Sequence, residues 1–194
     1  MALMHWKTTL IVLAFAVACA PASESPPAPD PGAPETPAPD AAAEVDAGSD
    51  VEPAGDRAIF ESAAEVVAAG VERFDAVVCY LHGRSSEGGD RRPEHPEYGV
   101  YEYDRVLEAL AAPGIAVISE ARSPTDDVDA YAAGVVSQIG ELFAAGVAPG
   151  TVTVVGFSKG GSIALLTSHQ LGHDDVGFVV LATCGPWLDG IPLA

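Results

Sequence analysis

Cations are scarce in this chain. Nine Lys and Arg stand against 28 Asp and Glu, a formal net charge of -19 over 194 residues. Nine of the acids lie in residues 20–56, which hold no Lys or Arg, and from Arg57 onward 19 acids face 8 bases. A surface of that sign repels phosphate backbones and argues against nucleic acid as a partner. Its plainest consequence is solubility. Cysteine is scarce too: Cys19, Cys79 and Cys184 are the three in the chain. Three are too few for a disulfide scaffold, and a domain of this length can bury a core without one. Cys79 lies in a strand-like run and Cys184 just past another. Both read as buried small hydrophobes, and a bridge between them stays open. Long apolar runs are missing as well. The longest, residues 8–18, is too short to span a bilayer as a stable helix.

That short run has a direction. Lys7 precedes it, and it closes on Ala16-Val17-Ala18-Cys19. The pattern is that of a signal-peptide core. Its end resembles a bacterial lipobox, in which the cysteine becomes the lipidated N-terminus after cleavage. Ala16 stands where Leu is usual, and cleavage at the Ala-x-Ala site would instead release a soluble exported protein. The lipobox reading implies export, anchoring in the cell envelope through Cys19, and more than one acyl chain for stable attachment. Residues 20–56 follow, rich in Pro, Ala, Asp and Glu and nearly free of large apolar side chains. Such a segment cannot bury enough surface to offset its ordering entropy and reads as a disordered tether. The expected organisation is a signal over 1–19, a linker over 20–56 and one folded domain over 57–194.

Within that domain the apolar pattern alternates. Residues 60–70 have helical spacing and end in Gly70. Residues 75–81 form a short β-type run. Tyr103, Val106, Leu107 and Leu110 mark a helix face that stops near Pro113-Gly114. Residues 115–119 form a second strand. Val128, Tyr131, Val135, Ile139, Leu142 and Phe143 make a stripe at spacings of three and four, ending near Gly146. Residues 151–155 form a third strand, a helix runs on to about Leu171, and residues 177–182 form a fourth strand. Alternating short strands and longer helices predict an α/β fold, a mostly parallel sheet with helices on both faces in three layers. Right-handed crossovers leave few topologies, and in such sheets the loops at the carboxyl ends of the strands hold the chemistry.

The third strand runs into Gly156-Phe157-Ser158-Lys159-Gly160-Gly161. A G-x-S-x-G string between a strand and a helix presents the serine on a sharp turn at the helix N-terminus. Small residues two before and two after let strand and helix pack closely. The plain alternative is a serine capping a glycine-rich turn. The first strand ends Leu81-His82-Gly83-Arg84, and a glycine-containing loop there can aim backbone N–H groups at a developing oxyanion. The N–H of Lys159 is the other expected donor. His82 is expected to shape this loop, not to act as a base.

Together these residues resemble the α/β-hydrolase family over residues 75–186. Leu81-His82-Gly83 matches its oxyanion loop, and Gly156 to Gly160 matches its nucleophile elbow. The resemblance implies a serine hydrolase acting on a carboxylic ester or related acyl bond. Ser158 would be the nucleophile, the backbones of Lys159, Gly83 and Arg84 the oxyanion hole, and no cofactor would be needed. It also implies an acid and then a histidine further along. After Ser158 the histidines are His169 and His173, neither at the expected place, so the base is not found in this sequence. Asp189, after the fourth strand, stands where some family members carry the acid. The expectation is a hydrolase domain incomplete at its C-terminus and impaired, with a non-catalytic envelope lipoprotein as the rival. The loop over residues 87–98 reads as solvated and lacks metal-ligand spacing. Arg91 and Arg92 within it are candidates to attract an acidic substrate group.

Overall fold

The computed structural model describes residues 57–124 and 127–184. Cys19, the 20–56 linker and Asp189 lie outside them. The elements run β1 (Ile59–Phe60), α1 (Ala63–Ala69), β2 (Ala76–Leu81), β3 (Glu94–His95), β4 (Gly99–Val100), α2 (Tyr103–Leu110), β5 (Ile115–Ile118), α3 (Val128–Ala144), β6 (Val152–Phe157), α4 (Lys159–Leu171) and β7 (Gly177–Leu181).

Five strands form one sheet in the order β1-β5-β2-β6-β7, every pair parallel. Side chains alternate across it, as a pleated strand requires. Val77, Cys79 and Leu81 of β2, Ala116 and Ile118 of β5, and Val152 and Val154 of β6 face one way. They meet Ala63 and Val66 of α1, Ala132, Val135, Ile139 and Leu142 of α3, and Ile163, Ala164 and Leu166 of α4. Tyr80 and Val117, with Val78 and Val155, face the other way, onto Tyr103 and Leu107 of α2. The fold is therefore α/β in three layers, three helices on one face and α2 on the other. Each fully buried Leu, Ile or Val contributes roughly 1.5–3 kcal/mol to this packing.

The four strands and four helices expected from periodicity are all present. The third strand reaches two residues further, to Phe157. This puts Ser158 directly between strand and helix with no intervening loop. Three features depart from the sequence reading. Ile59–Phe60 is a short edge strand pairing with Val117 and Ile118, and α1 starts only after Ser62, whose hydroxyl accepts from the Glu65 N–H. The 87–98 loop is not uniformly solvated. A 3₁₀ stretch, Arg84–Gly89, overlaps its start, the Glu87 side chain is only 6% exposed, and the loop carries the β3–β4 hairpin.

Cys79 is a free, buried thiol, and burial pushes it up to about 12, so it is inert and unbridged. Cys184 corrects the expectation of burial: it is exposed.

Candidate active site

Ser158 has φ 52 and ψ -119, one of two non-glycine residues with positive φ among the described residues. An L-residue held there stores about 1–3 kcal/mol and stays only if its surroundings over-determine it. They do. The Ser158 N–H donates to the Leu181 carbonyl at 2.8 Å. The Ser158 carbonyl accepts from Gly161 N–H at 2.9 Å and from the Thr183 hydroxyl at 2.8 Å. The Ser158 hydroxyl makes no capping bond to α4. The turn is thus not a simple cap, and the side chain is left for another use.

The surrounding glycines have steric reasons. A Cβ on Gly160 would lie 1.9 Å from the Leu81 carbonyl oxygen, and one on Gly156 would lie 2.3 Å from the Gly160 carbonyl oxygen. One on Gly161 would meet the Thr183 hydroxyl at 1.8 Å. The first turn of α4 therefore sits backbone-on-backbone against the carboxyl end of β2. As the first helical residue, Lys159 has an N–H without an intrahelical acceptor, and the helix dipole places partial positive charge beside Ser158.

The same packing brings the loop after β2 to the serine. A Cβ on Gly83 would lie 3.4 Å from the Ser158 Cβ and 3.1 Å from the Phe157 ring. Gly83 is therefore the residue of that loop against Ser158, and Arg84 begins the 3₁₀ stretch immediately after it. On the α2 side, Tyr101 stacks on Phe157 with ring centroids 5.5 Å apart, and its hydroxyl bonds that of Tyr80. Burial raises both phenols above their ordinary values. They stay neutral near pH 7 and form an aromatic flank, not a base.

His82 is buried with both ring nitrogens occupied. Nε2 accepts the Arg122 N–H at 3.0 Å, which leaves Nδ1 to donate to the Gly83 carbonyl at 2.8 Å. Burial pushes the imidazole below its ordinary value, the bond to Gly83 opposes that, and Arg122 reinforces it. A neutral ring with no free nitrogen organises the loop and cannot take a proton from Ser158.

Sequence reasoning missed the group that binds this loop together. Arg122 is 1% exposed. Its Nη2 donates to the His82 carbonyl at 2.9 Å and its Nε to Glu87 Oε1 at 3.1 Å. The same Glu87 oxygen lies 2.7 Å from Lys159 Nζ. Burial pushes Glu87 up, but the hydrogen bonds from Lys159 and Arg122 outweigh it and hold the carboxyl below its usual value. A signal was present: Arg122 is one of few bases and lies just past an apolar strand.

Other candidates fall away from the serine. Arg91 pairs with Asp104 and Arg92 with Glu102, exposed ion pairs with acids near the start of α2. His169 is exposed in the last turn of α4, about 16 Å along the axis from Ser158 at 1.5 Å per residue. His173 lies beyond that turn, its ring against Phe143. His95 stacks on Tyr98 in the β3–β4 hairpin. Among the described residues, no histidine hydrogen-bonds to Ser158.

No family model matches the chain, and no curated protein matches it either. Fold and site alone define the class: a three-layer α/β domain with a strained serine at a strand-to-helix turn, faced by a glycine loop from the adjacent strand.

Proposed function

We propose that this protein is a serine hydrolase of the α/β-hydrolase type acting on a carboxylic ester or related acyl bond. The observation that carries the reading is the backbone of Ser158, held at positive φ at the N-terminus of α4 with its hydroxyl uncommitted to the helix. In this reading Ser158 attacks the acyl carbonyl. The Lys159 N–H and the Gly83–Arg84 backbone receive the oxyanion. Asp189 is the candidate acid. Such donors typically supply on the order of 10²–10³ in rate each. The N-terminal run ending at Cys19 supports the further reading that the protein is exported and lipid-anchored to the envelope.

A serine without a base is a weak nucleophile, and no described histidine is placed to serve. That observation favours a second reading, a scaffold of this class kept for binding. Intact-mass analysis of the full-length protein after fluorophosphonate treatment, beside Ser158→Ala, separates the two. An adduct on the wild type alone supports the hydrolase. A folded wild type that stays unmodified overturns it in favour of the binding scaffold.

A further inference from the structure

The geometry points to Glu87 as a positioning residue that locks the glycine loop to the serine turn through one carboxylate oxygen shared by Lys159 and Arg122. The inference rests on the reading of Ser158 as nucleophile for its catalytic consequence, but the lock itself is independent of it.

Three chain segments meet at this oxygen. Glu87 belongs to the loop that starts at Gly83. Arg122 lies past the end of β5, and Lys159 is the residue after Ser158. Their side chains are 6%, 2% and 12% exposed, so solvent does little to screen them. Hydrogen bonds that each use at least one backbone group sew the first two segments together: Arg122 N–H to His82 Nε2, Arg122 Nη2 to the His82 carbonyl, and Gly88 N–H to the Arg122 carbonyl at 3.0 Å. The third segment is tied differently. The Glu87–Lys159 pair joins the loop to the first residue of α4 by charge.

The loop's backbone explains why the carboxylate arrives there. The 3₁₀ stretch breaks at Glu87 (φ -65, ψ 146) and Gly88 (φ 77, ψ 12). Gly88 turns at positive φ, where a side chain is disfavoured. Without that break Glu87 would continue a surface turn. With it, an acid surrounded by polar loop sequence becomes buried between two cations. The consequence for chemistry is preorganisation. Oxyanion donors act only if fixed where charge will develop, and displacement by about 1 Å costs up to about 10²-fold. Gly83 and Lys159 supply the two sides of that site, and Glu87 sets their spacing.

The test uses the full-length protein with Glu87→Gln, Glu87→Asp and Lys159→Met. Lys159→Met keeps the backbone N–H while removing the link from the other side. Fluorophosphonate inactivation is split into kinact and KI, and hydrogen exchange is followed over residues 83–89 and over α3. The expected result in Glu87→Gln is exchange over 83–89 about tenfold faster with α3 unchanged. With it, kinact falls about tenfold while KI stays within about twofold. Lys159→Met reproduces both effects, and Glu87→Asp recovers part of each. A structural role alone would lower stability without this split. Unchanged exchange over 83–89 in both Glu87→Gln and Lys159→Met overturns the lock. A wild type that takes no fluorophosphonate overturns the catalytic role along with the hydrolase reading, and the exchange comparison then decides the lock by itself.

Discussion

The α carbon of Gly160 faces the carbonyl oxygen of Leu81 so closely that a Cβ would lie 1.9 Å from it. This contact fixes how deep the serine turn sits against β2, and it involves backbone, which cannot swing away. Gly160→Ala should therefore destabilise the domain by about 3 kcal/mol or more, beyond ordinary overpacking. Gly140→Ala is the control. Gly140 is exposed in α3 with nothing within 4 Å of an added Cβ, so the change should stabilise by about 0.5–1 kcal/mol. Chemical denaturation of both variants checks the pair. Equal small effects would mean the strand and helix are not packed this closely.

The strain at Ser158 is open to a direct measurement. Alanine keeps the Cβ that makes φ 52 costly, whereas glycine has none. Ser158→Gly should be more stable than Ser158→Ala by about 1 kcal/mol in denaturant unfolding. Both variants should lose fluorophosphonate labelling. If the two have the same stability, the turn is relaxed in solution and the structural basis for an activated serine weakens.

Arg122 holds two partners that a point charge cannot hold at once: Nη2 on the His82 carbonyl and Nε on Glu87. Removing it leaves Glu87 buried with Lys159 alone. Arg122→Met should cost about 3–5 kcal/mol, the usual penalty for breaking a buried pair from one side. Arg122→Lys should recover little of it, because the fork geometry is lost. The double variant Arg122→Met/Glu87→Gln should be less destabilised than the sum of the singles, with a coupling of about 1–3 kcal/mol. Strict additivity would show that the two side chains do not interact in solution.

These residues also show what the sequence could and could not convey. The serine turn was legible because its requirements are local. Gly156, Gly160 and the apolar strand before them are neighbours in the chain, and periodicity alone places strand and helix. The organising role of His82 was legible for the same reason, since its loop begins where β2 ends. Glu87 and Arg122 were not legible. They are 35 positions apart, and what joins them is the adjacency of β2 and β5 in the sheet, a fact of topology and not of local pattern. Glu87 sits among Gly, Ser and charged residues, a composition that reads as solvated loop, and only the break at Glu87–Gly88 turns it inward. The ion-pair partners of Arg91 and Arg92 were not legible either. Folding sets them on Asp104 and Glu102, 13 and 10 positions further along the chain. The edge strand Ile59–Phe60 is too short for any periodicity to register.

Acid should unlock the loop in two steps, and the sign of each follows from the groups involved. His82 is neutral in the fold, faced by Arg122, Glu87 and the Tyr103 ring, and burial lowers its proton affinity. Between the ordinary histidine value of about 6.5 and the lower folded one, the unfolded chain binds a proton that the folded chain refuses. Stability from His82 is thus full above about pH 6.5 and falls as pH drops below it, by at most about 1.4 kcal/mol per pH unit. Protonation would also turn Nε2 from the acceptor of the Arg122 N–H into a donor facing a donor. Glu87 acts in a more acidic window. Its folded value lies below the usual one, so its contribution is present above the ordinary carboxylate range and is lost as pH falls through the folded value. Denaturation free energies measured from pH 7.5 down to about 3.5 should fall in both windows. In His82→Gln the slope just below about pH 6.5 should shrink, while the lower window remains. In Glu87→Gln the reverse should hold. A variant that keeps the wild-type slope in its own window would show that its group binds protons alike in the folded and unfolded chain.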